Sequence, residues 1–355
     1  MPAGHRASSR TARSYGQLSL PKIGSAPFLP TPPQFPNTQL PNTFPRNNIL
    51  QLIPMQLFFN YSIECVLPPD GRFDGPVSWE FAETSTRGFV DIMSEIGLRQ
   101  AATLFISPDV ARKQGHLFRQ LADAGIETAL LLNGWRYSKM KQPAWLGSLP
   151  YAEQRDAIRI AKVDLEDCLG RPCQGYRARC ASANDDTFPI LEELGFLWSS
   201  TSAPGSYAPE TFACWSGGWP FPYHPSPVNK LITGALKVYE IPVTCALRIT
   251  IPGHPNRPLD MRVETPLEVI GPSGELWRQV VEENIVEMER RNQPLRVITG
   301  ASHNHNPYTD HSSLAYHNLM RVVHFSRRLA ALHVYDFTPA HFSQIRDEAE
   351  RISAF

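Results

Sequence analysis

The segment ATLFISPDVARKQGHLFRQLADAGIETALLLNG, residues 102–134, contains the pattern that decides the fold. A short apolar run, ATLFI, is followed by an amphipathic stretch and then by a second apolar run, IETALLL. Ser107 is a suitable helix N-cap and Pro108 suits the first helical position, so the middle stretch is predicted to be a helix. The segment therefore predicts a strand, a helix and a second strand, which is the repeating unit of parallel sheets.

The same alternation continues on both sides of this segment. Upstream, QLFFNYSIECV predicts a strand, and downstream further strands are predicted at QGYRAR, FLWSSTS, LKVYEIPVT, LRVITGASH and HVYDF, separated by helical stretches. No glycine-rich phosphate loop of the form GxGxxG or GxxxxGK[ST] occurs in the sequence. Repeated βα units without such a loop favour a parallel (β/α) barrel over a nucleotide-binding sheet, and they place the chemistry at the carboxyl ends of the strands.

The composition argues against several classes of function. Lysine plus arginine and aspartate plus glutamate both number 34, so no global field attracts nucleic acid or an anionic membrane. No apolar run approaches the length of a transmembrane helix, and no secretory signal is recognised. The six cysteines form no CxxC pair, which is typical of free thiols in a reducing compartment. We expect a cytoplasmic protein whose partner is a small molecule or an oligosaccharide, and a homo-oligomer is left open.

The amino-terminal part of the chain differs from the remainder. From Met1 to Tyr61 there is no acidic residue, and Ser, Thr, Pro and Arg dominate its start. Residues 1–54 are interpreted as a disordered or dispensable tail, with a transit peptide or a natural start at Met55 as alternatives. The barrel domain is predicted to span residues 55–355, with an irregular insertion rich in proline and aromatic residues at about 202–230.

Three further segments carry a resemblance to a known family. GIETALLLNGWRYSK (125–139) is similar to a motif that reads G-x-E followed by H-G-W-x-H, and AEQRDAIRIAKVDLEDCLGRPCQGYRAR (152–179) is similar to a helix and strand that end in GfRaP. NDDTFPILEELGFLWSST (184–201) is similar to the helix and strand that come next. Over about residues 56–340 the chain resembles the polysaccharide deacetylase family, which has the NodB homology fold and includes allantoinase-like members. The resemblance implies an α/β fold, a distorted (β/α) barrel that removes acetyl groups from amino sugars or opens cyclic amides.

The resemblance also implies roles for four residues. Glu64, in YSIEC, is the acidic residue that remains of the family's first motif, and Arg177 matches the arginine that orients the catalytic carboxylate. His303 and His305, in SHNHNP, are the two candidates for the histidine that protonates the leaving group. The other interpretation of Glu64 and Arg177 is a buried structural ion pair.

The metal-binding motif of the family is degenerate in this sequence. Asn133 and Tyr137 stand where the two ligand histidines are expected. An amide oxygen and an un-ionised phenol are poor zinc ligands compared with imidazole, so the usual metal centre is predicted to be absent. If a divalent metal such as zinc is bound, the set expected to hold it is Glu64, His303 and His305.

Other polar and aromatic residues are candidates for substrate contact. Tyr137 is a candidate acid or base, and the predicted donors to a developing oxyanion in a metal-independent site are Asn133, Tyr137 and Arg179. Trp135, which lies between Asn133 and Tyr137 in the sequence, is a further candidate for binding the substrate. The stretch CWSGGWPFPYHPSP supplies three aromatic residues that are predicted to stack on a ligand or, alternatively, to pack the insertion: Trp215, Trp219 and Tyr223.

Three functions remain open at this point. The first is hydrolysis of a carbon–nitrogen bond in an acetylated amino sugar or in a small cyclic or linear amide. The second is binding of a carbohydrate or similar ligand without turnover. The third is metal-independent acid–base chemistry on the same fold, as in a lyase or a ring opening. Retention of Glu64, Arg177 and a histidine pair favours an enzyme, because a binding protein has no need of acid–base groups.

Overall fold

The computed structural model describes residues 55–69, 74–137 and 144–353. The predicted tail at 1–54 lies outside the described residues, and so does the side chain of Trp135. The strands are β1 (Gln56–Cys65), β2 (Ala102–Ile106), β3 (Glu127–Leu132), β4 (Gly175–Ala178), β5 (Trp198–Ser199), β6 (Tyr207–Ala208), β7 (Ala213–Cys214), β8 (Tyr239–Glu240), β9 (Cys245–Ile251), β10 (His254–Asp260), β11 (Arg296–His303) and β12 (Asp336–Pro339). The helices are α1 (Trp79–Glu95), α2 (Pro108–Asp123), α3 (Gly134–Tyr137), α4 (Tyr151–Leu169), α5 (Thr187–Glu193), α6 (Leu267–Ile270), α7 (Glu275–Arg290), α8 (Leu314–Leu332) and α9 (Phe342–Ser353).

One curved sheet of parallel strands forms the centre of the fold. Its order is β11-β1-β2-β3-β4-β5-β8, and β12 pairs with the start of β1. Parallel strands need crossover connections, and here most of these contain helices that cover the outer face of the sheet. Within the described residues β8 and β11 do not pair as strands, but Thr244 and Thr299 join the two edges by hydrogen bonds. The predicted distorted (β/α) barrel is confirmed, and its distortion lies between β8 and β11.

Strand β1 separates an apolar layer from a polar interior, because successive side chains of a strand point to opposite faces. One row is fully buried in the main hydrophobic core: Leu57, Phe59, Tyr61 and Ile63. The other row changes from apolar to ionisable towards the carboxyl end: Phe58, Asn60, Ser62 and Glu64. The strand therefore delivers its only charged side chain to the carboxyl end of the barrel.

An aromatic cluster formed by β2, β5 and α9 belongs to a second hydrophobic core. Phe342 at the start of α9 stacks on Trp198 with ring centroids 5.1 Å apart, and both rings contact Phe105. Glu127, the first residue of β3, accepts hydrogen bonds from the backbone N–H groups of Phe342 and Ser343 and so caps α9.

Two antiparallel hairpins stand outside the barrel sheet. β6 pairs with β7, and β9 pairs with β10. The predicted insertion at about 202–230 contains the first hairpin, whose strands are two residues long. The second hairpin was not predicted from the sequence, and LKVYEIPVT, predicted to be extended, forms a paired strand at Tyr239–Glu240 alone. Among the described residues, none of the helices has the length and apolar character needed to span a bilayer.

Candidate active site

A cleft of about 250 Å³ opens at the carboxyl end of the barrel, where β1, β4 and β11 end. It brings together five of the residues predicted to form the site: Glu64, Arg177, Arg179, His303 and His305. Cys180 also lines it, and three further ionisable groups in its wall were not identified from the sequence: Asp74, Asp260 and Arg262. The cleft thus combines carboxylates, imidazoles and guanidinium groups within one small volume.

His303 joins two carboxylates across the cleft. Its Nδ1 lies 2.7 Å from Glu264 Oε1, and its Nε2 lies 3.6 Å from Glu64 Oε2. Glu64 and His303 are register partners on the adjacent parallel strands β1 and β11, so both leave the sheet at the same level. One ring nitrogen is held in place while the other faces the carboxylate of Glu64, an arrangement suited to proton transfer.

Glu264 is the central site residue that the sequence did not reveal. Its Oε1 also accepts a hydrogen bond from Asn306 Nδ2 at 3.0 Å. Burial acts to raise the pKa of Glu264, but hydrogen bonds from His303 and His305 and the charge of Arg262 hold that pKa well below its usual range. An ionised Glu264 accepts hydrogen bonds only, which assigns a proton to Nδ1 of His303 and leaves Nε2 to exchange one.

His305 lies beside His303 but faces differently. The two rings stack with centroids 4.8 Å apart and planes 12° from parallel. His305 Nε2 lies 3.5 Å from Glu264 Oε1, and its Nδ1 is buried with no hydrogen-bond partner among the described residues. The sequence left the choice between the two histidines open, and the geometry favours His303 because its second nitrogen faces Glu64.

Arg177 is buried on β4 next to Glu64. Its Nε donates to Ser200 O at 2.7 Å, its Nη1 to Ser62 Oγ at 3.0 Å and its Nη2 to Ser200 Oγ at 2.9 Å. The guanidinium lies 3.8 Å from the ring centroid of Phe105, and Nη1 lies 3.8 Å from Glu64 Oε1. Burial lowers the pKa of Arg177 to about 10, so it stays charged at neutral pH. Because these three hydrogen bonds go to serines and Nη1 is 3.8 Å from Glu64 Oε1, Arg177 acts on Glu64 through its charge.

The segment that holds Arg177 is itself anchored by a buried carboxylate. Glu240 Oε1 accepts hydrogen bonds from Thr201 N at 2.9 Å, Ser202 N at 2.7 Å and Ser202 Oγ at 2.8 Å. Burial raises the pKa of Glu240, while these donors oppose that shift. Since Ser200 adjoins this anchored segment, Glu240 fixes the position of Arg177 without touching the cleft.

At the end of β3, the side chains predicted to face the cleft, Asn133 and Tyr137, do not line it. Asn133 is 6% exposed, and its Oδ1 is buried with no hydrogen-bond partner among the described residues. Tyr137 in α3 donates its hydroxyl to Asp164 Oδ2 of α4 at 3.3 Å, and Arg136 pairs with Asp109 of α2. The helix α3 is therefore turned towards the helical layer. The structure does not support Tyr137 as an acid–base group of the cleft or Asn133 as a ligand of substrate.

Two sets of side chains are candidates for coordinating a divalent metal such as zinc. At the end of β3, Asn133 and Tyr137 do not face the cleft, so the position at which the resemblance implies a metal does not fit one. The second set is Glu264, His303 and His305, whose ligand atoms lie within 4.8 Å of one another. An imidazole binds a metal along a lone pair in its ring plane, and two stacked, nearly parallel rings are poorly arranged to bind one ion. The predicted set with Glu64 is corrected, because the carboxylate that both histidines share is Glu264.

The aromatic residues predicted to form a substrate wall lie away from the cleft. Trp215 is fully buried, and its Nε1 donates to a backbone carbonyl at 2.8 Å. Tyr223 is 4% exposed, and its hydroxyl donates to Lys230 O. Trp219 is half-buried beneath the guanidinium of Arg291. Trp215 and Tyr223 hold the irregular insertion together, which is the alternative that the sequence left open for them.

A second cavity of about 490 Å³ adjoins the cleft. The two share five wall residues: Cys180, Ala181, Ala203, Asp260 and Arg262. Much of the remaining wall comes from the β6–β7 and β9–β10 hairpins. Cys180 and Ala181 have φ angles of 56° and 54°, a region that residues with a side chain seldom adopt, so β4 ends in a strained turn where the cavities meet. Together, the cleft and the adjoining cavity form a pocket enclosed by walls, and not an open groove.

No family model matches the sequence, and no curated protein matches it. Solved structures do match the fold. A Mycobacterium smegmatis protein assigned as a polysaccharide deacetylase gives a TM-score of 0.54 at 16% identity, over 84% of this chain and 92% of that one. A Puue allantoinase gives 0.52 at 12% identity, over 82% and 89%. A Pseudomonas aeruginosa PAO1 protein assigned as a polysaccharide deacetylase gives 0.52 at 15% identity, over 84% and 92%. The chain therefore has the NodB-type fold of these proteins, as its motifs predicted.

Proposed function

We propose that this chain, with its polysaccharide deacetylase fold, hydrolyses a carbon–nitrogen bond of an amide by acid–base catalysis that needs no metal at the end of β3. The observation that carries the proposal is the placement of His303 between Glu264 and Glu64. A carboxylate that orients an imidazole and a second carboxylate that faces its other nitrogen supply both an acid and a base. The neighbouring Arg177 keeps a positive charge close to Glu64.

The reaction balances within these groups. Glu64 takes a proton from water, and the water oxygen forms a bond to the carbonyl carbon. Protonated His303 then gives its Nε2 proton to the amide nitrogen as the carbon–nitrogen bond breaks, which releases a carboxylic acid and an amine. The proton on Glu64 passes to His303 Nε2, which is 3.6 Å from Glu64 Oε2, and both groups return to their starting states.

The shape of the site favours a small substrate. The cleft and the adjoining cavity have volumes of about 250 Å³ and 490 Å³, and each is walled by the hairpins or by the ends of the barrel strands. Small-molecule sites typically enclose several hundred Å³. An acylated amino sugar or a small linear or cyclic amide fits such a site better than a long polymer.

The test is turnover of a panel of N-acetylated amino sugars, N-acyl amino acids and cyclic ureides, followed by mass spectrometry, with protein dialysed against a chelator. We expect acid and amine products from at least one member, unchanged turnover after chelation, and a decrease in kcat of about 10²–10⁴-fold for His303→Gln. His305→Gln is the matched control, for which the decrease should be smaller. Binding without turnover, an unsaturated product, or activity that needs added metal would each contradict the proposal.

A further inference from the structure

Hydrolysis of an amide places a negative charge on the carbonyl oxygen in the tetrahedral intermediate. Stabilising this oxyanion is commonly the largest single contribution to catalysis. Glu64 and His303 move protons and do not supply this stabilisation. A cation or a set of hydrogen-bond donors must therefore face the reacting carbonyl.

Two of the three donors predicted for this task from the sequence are not available at the cleft, and the third, Arg179, lines its wall. Asn133 is buried at the end of β3, and the hydroxyl of Tyr137 donates to Asp164. Three of the five N–H donors of Arg177 bind two serines of the barrel interior. The other arginines in the wall of the cleft are Arg179 and Arg262.

Arg262 lines the cleft together with Glu64 and His303, and it also lines the adjoining cavity. Its Nε donates to Asp260 Oδ2 at 2.9 Å, which fixes the guanidinium at the boundary of the two cavities. Asp260 raises the pKa of Arg262 most, and the charges of Glu64 and Glu264 raise it further, so the guanidinium is within electrostatic reach of both carboxylates. Arg179 is placed differently, since its Nη2 donates to Asp74 O at the edge of the cleft.

We propose that Arg262 stabilises the oxyanion of the tetrahedral intermediate, the task that a metal ion performs in metal-dependent amide hydrolysis. This inference rests on the proposed amide hydrolysis. When water adds, the π electrons of the carbonyl move to its oxygen, where the guanidinium of Arg262 binds them. They return to form the carbonyl of the acid as the bond to nitrogen breaks. A guanidinium suits the role because it stays charged and presents several N–H groups in one plane.

The kinetic test compares wild type with Arg262→Gln and Arg262→Lys on a neutral amide and on a matched amide that carries a carboxylate. We expect Arg262→Gln to lower kcat about 10²–10³-fold on both substrates with little change in KM, and Arg262→Lys to lie between. Arg278→Gln is the control, because Arg278 pairs with Glu282 on the surface of α7. If KM rises for the carboxylate substrate alone while kcat is kept, Arg262 anchors substrate and the inference is overturned.

A binding test separates this inference from the proposed function. Methylphosphonate is a tetrahedral anion, and its binding is measured by calorimetry on the same variants, whose unfolding temperatures confirm folding. We expect wild type and Arg278→Gln to bind it equally and Arg262→Gln to bind at least about tenfold more weakly, a difference of about 1.4 kcal/mol. Arg262→Lys keeps the partner of Asp260 and serves if the glutamine variant does not fold. Equal binding by all variants overturns the inference, while lack of turnover by wild type overturns the proposed function instead.

Discussion

Two parts of the carboxyl rim of the barrel differ in where their polar side chains point. On one side, β1 and β11 place Glu64 and His303 in register at the cleft, with Glu264 behind the imidazole. On the other side, β3 ends in Asn133, which is buried, and in α3, whose Tyr137 bonds to the helical layer. Both parts stand at the ends of parallel strands, where a barrel collects its reactive groups.

The comparison shows that the end of a strand offers a position for chemistry but does not ensure it. A side chain takes part only if its polar atoms find their partners in the cleft. Glu64 and His303 do, since they are register partners on adjacent strands and Glu64 Oε2 lies 3.6 Å from His303 Nε2. The groups of α3 find carboxylates on neighbouring helices instead, and this turns them away.

The largest effect on stability is expected at Arg177, which supports the reactive side. Arg177→Met leaves the Glu64 carboxylate without its buried cation and removes three hydrogen bonds. We expect the free energy of unfolding to fall by about 3–5 kcal/mol, measured by urea denaturation. Arg136→Met, at the surface of the β3 side, is the matched change and should cost less than about 1 kcal/mol. Equal losses in the two variants would remove the distinction between the two sides.

An intermediate effect is expected at Glu264 and depends on pH. Its pKa is lowered on folding, so its contribution to stability is fully present above its unfolded pKa of about 4.3 and disappears as the pH falls through the lower, folded pKa. Glu264→Gln should therefore be less stable than wild type at pH 7, and the difference should shrink below about pH 4. Thermal unfolding measured from pH 7 to pH 2 checks this. A difference that stays constant down to pH 2 would mean that Glu264 contributes by packing alone.

The smallest effect is expected from restoring the family's two ligand histidines at the end of β3. The double change Asn133→His and Tyr137→His restores the imidazoles that the family motif implies, but it places them where the present side chains are buried or bonded to helices. We expect no stoichiometric zinc by elemental analysis, because both ligands must also turn towards Glu64. One zinc per chain in the variant, absent from wild type, would show that α3 reorients freely and that the two sides differ by sequence alone.

Much of the fold was predictable because it depends on local patterns. The apolar runs and helical periodicities located β1 to β4, the long helices α2, α4, α7 and α8, and the strand β11. The β9–β10 hairpin was missed because its second strand, HPNRPLD, is polar and contains prolines, and it does not resemble a strand. It forms because it pairs with β9, which is a tertiary event.

The site residues also divide into those that the sequence identified and those that only the structure revealed. Glu64, Arg177 and His303 were identified because motifs at strand ends mark them, and all three line the cleft. Glu264 and Arg262 lie in a loop after β10. They are 39 and 41 residues before His303 in the sequence, and no recognisable motif spacing connects them with it. Trp215 was predicted as a candidate for stacking because its neighbours are loop-like, yet it is fully buried.

The sequence by itself determined the order of strands and helices and the residues at the strand ends, because alternation, periodicity and capping act over a few neighbouring positions. The tertiary structure alone decided that Glu264 orients His303, that His305 stacks instead of facing Glu64, and that Tyr137 turns outward. Each of these outcomes depends on which polar atoms, far apart in the sequence, form hydrogen bonds with each other in the folded chain. A chain of residue letters does not specify such pairings until packing brings the partners within hydrogen-bond distance.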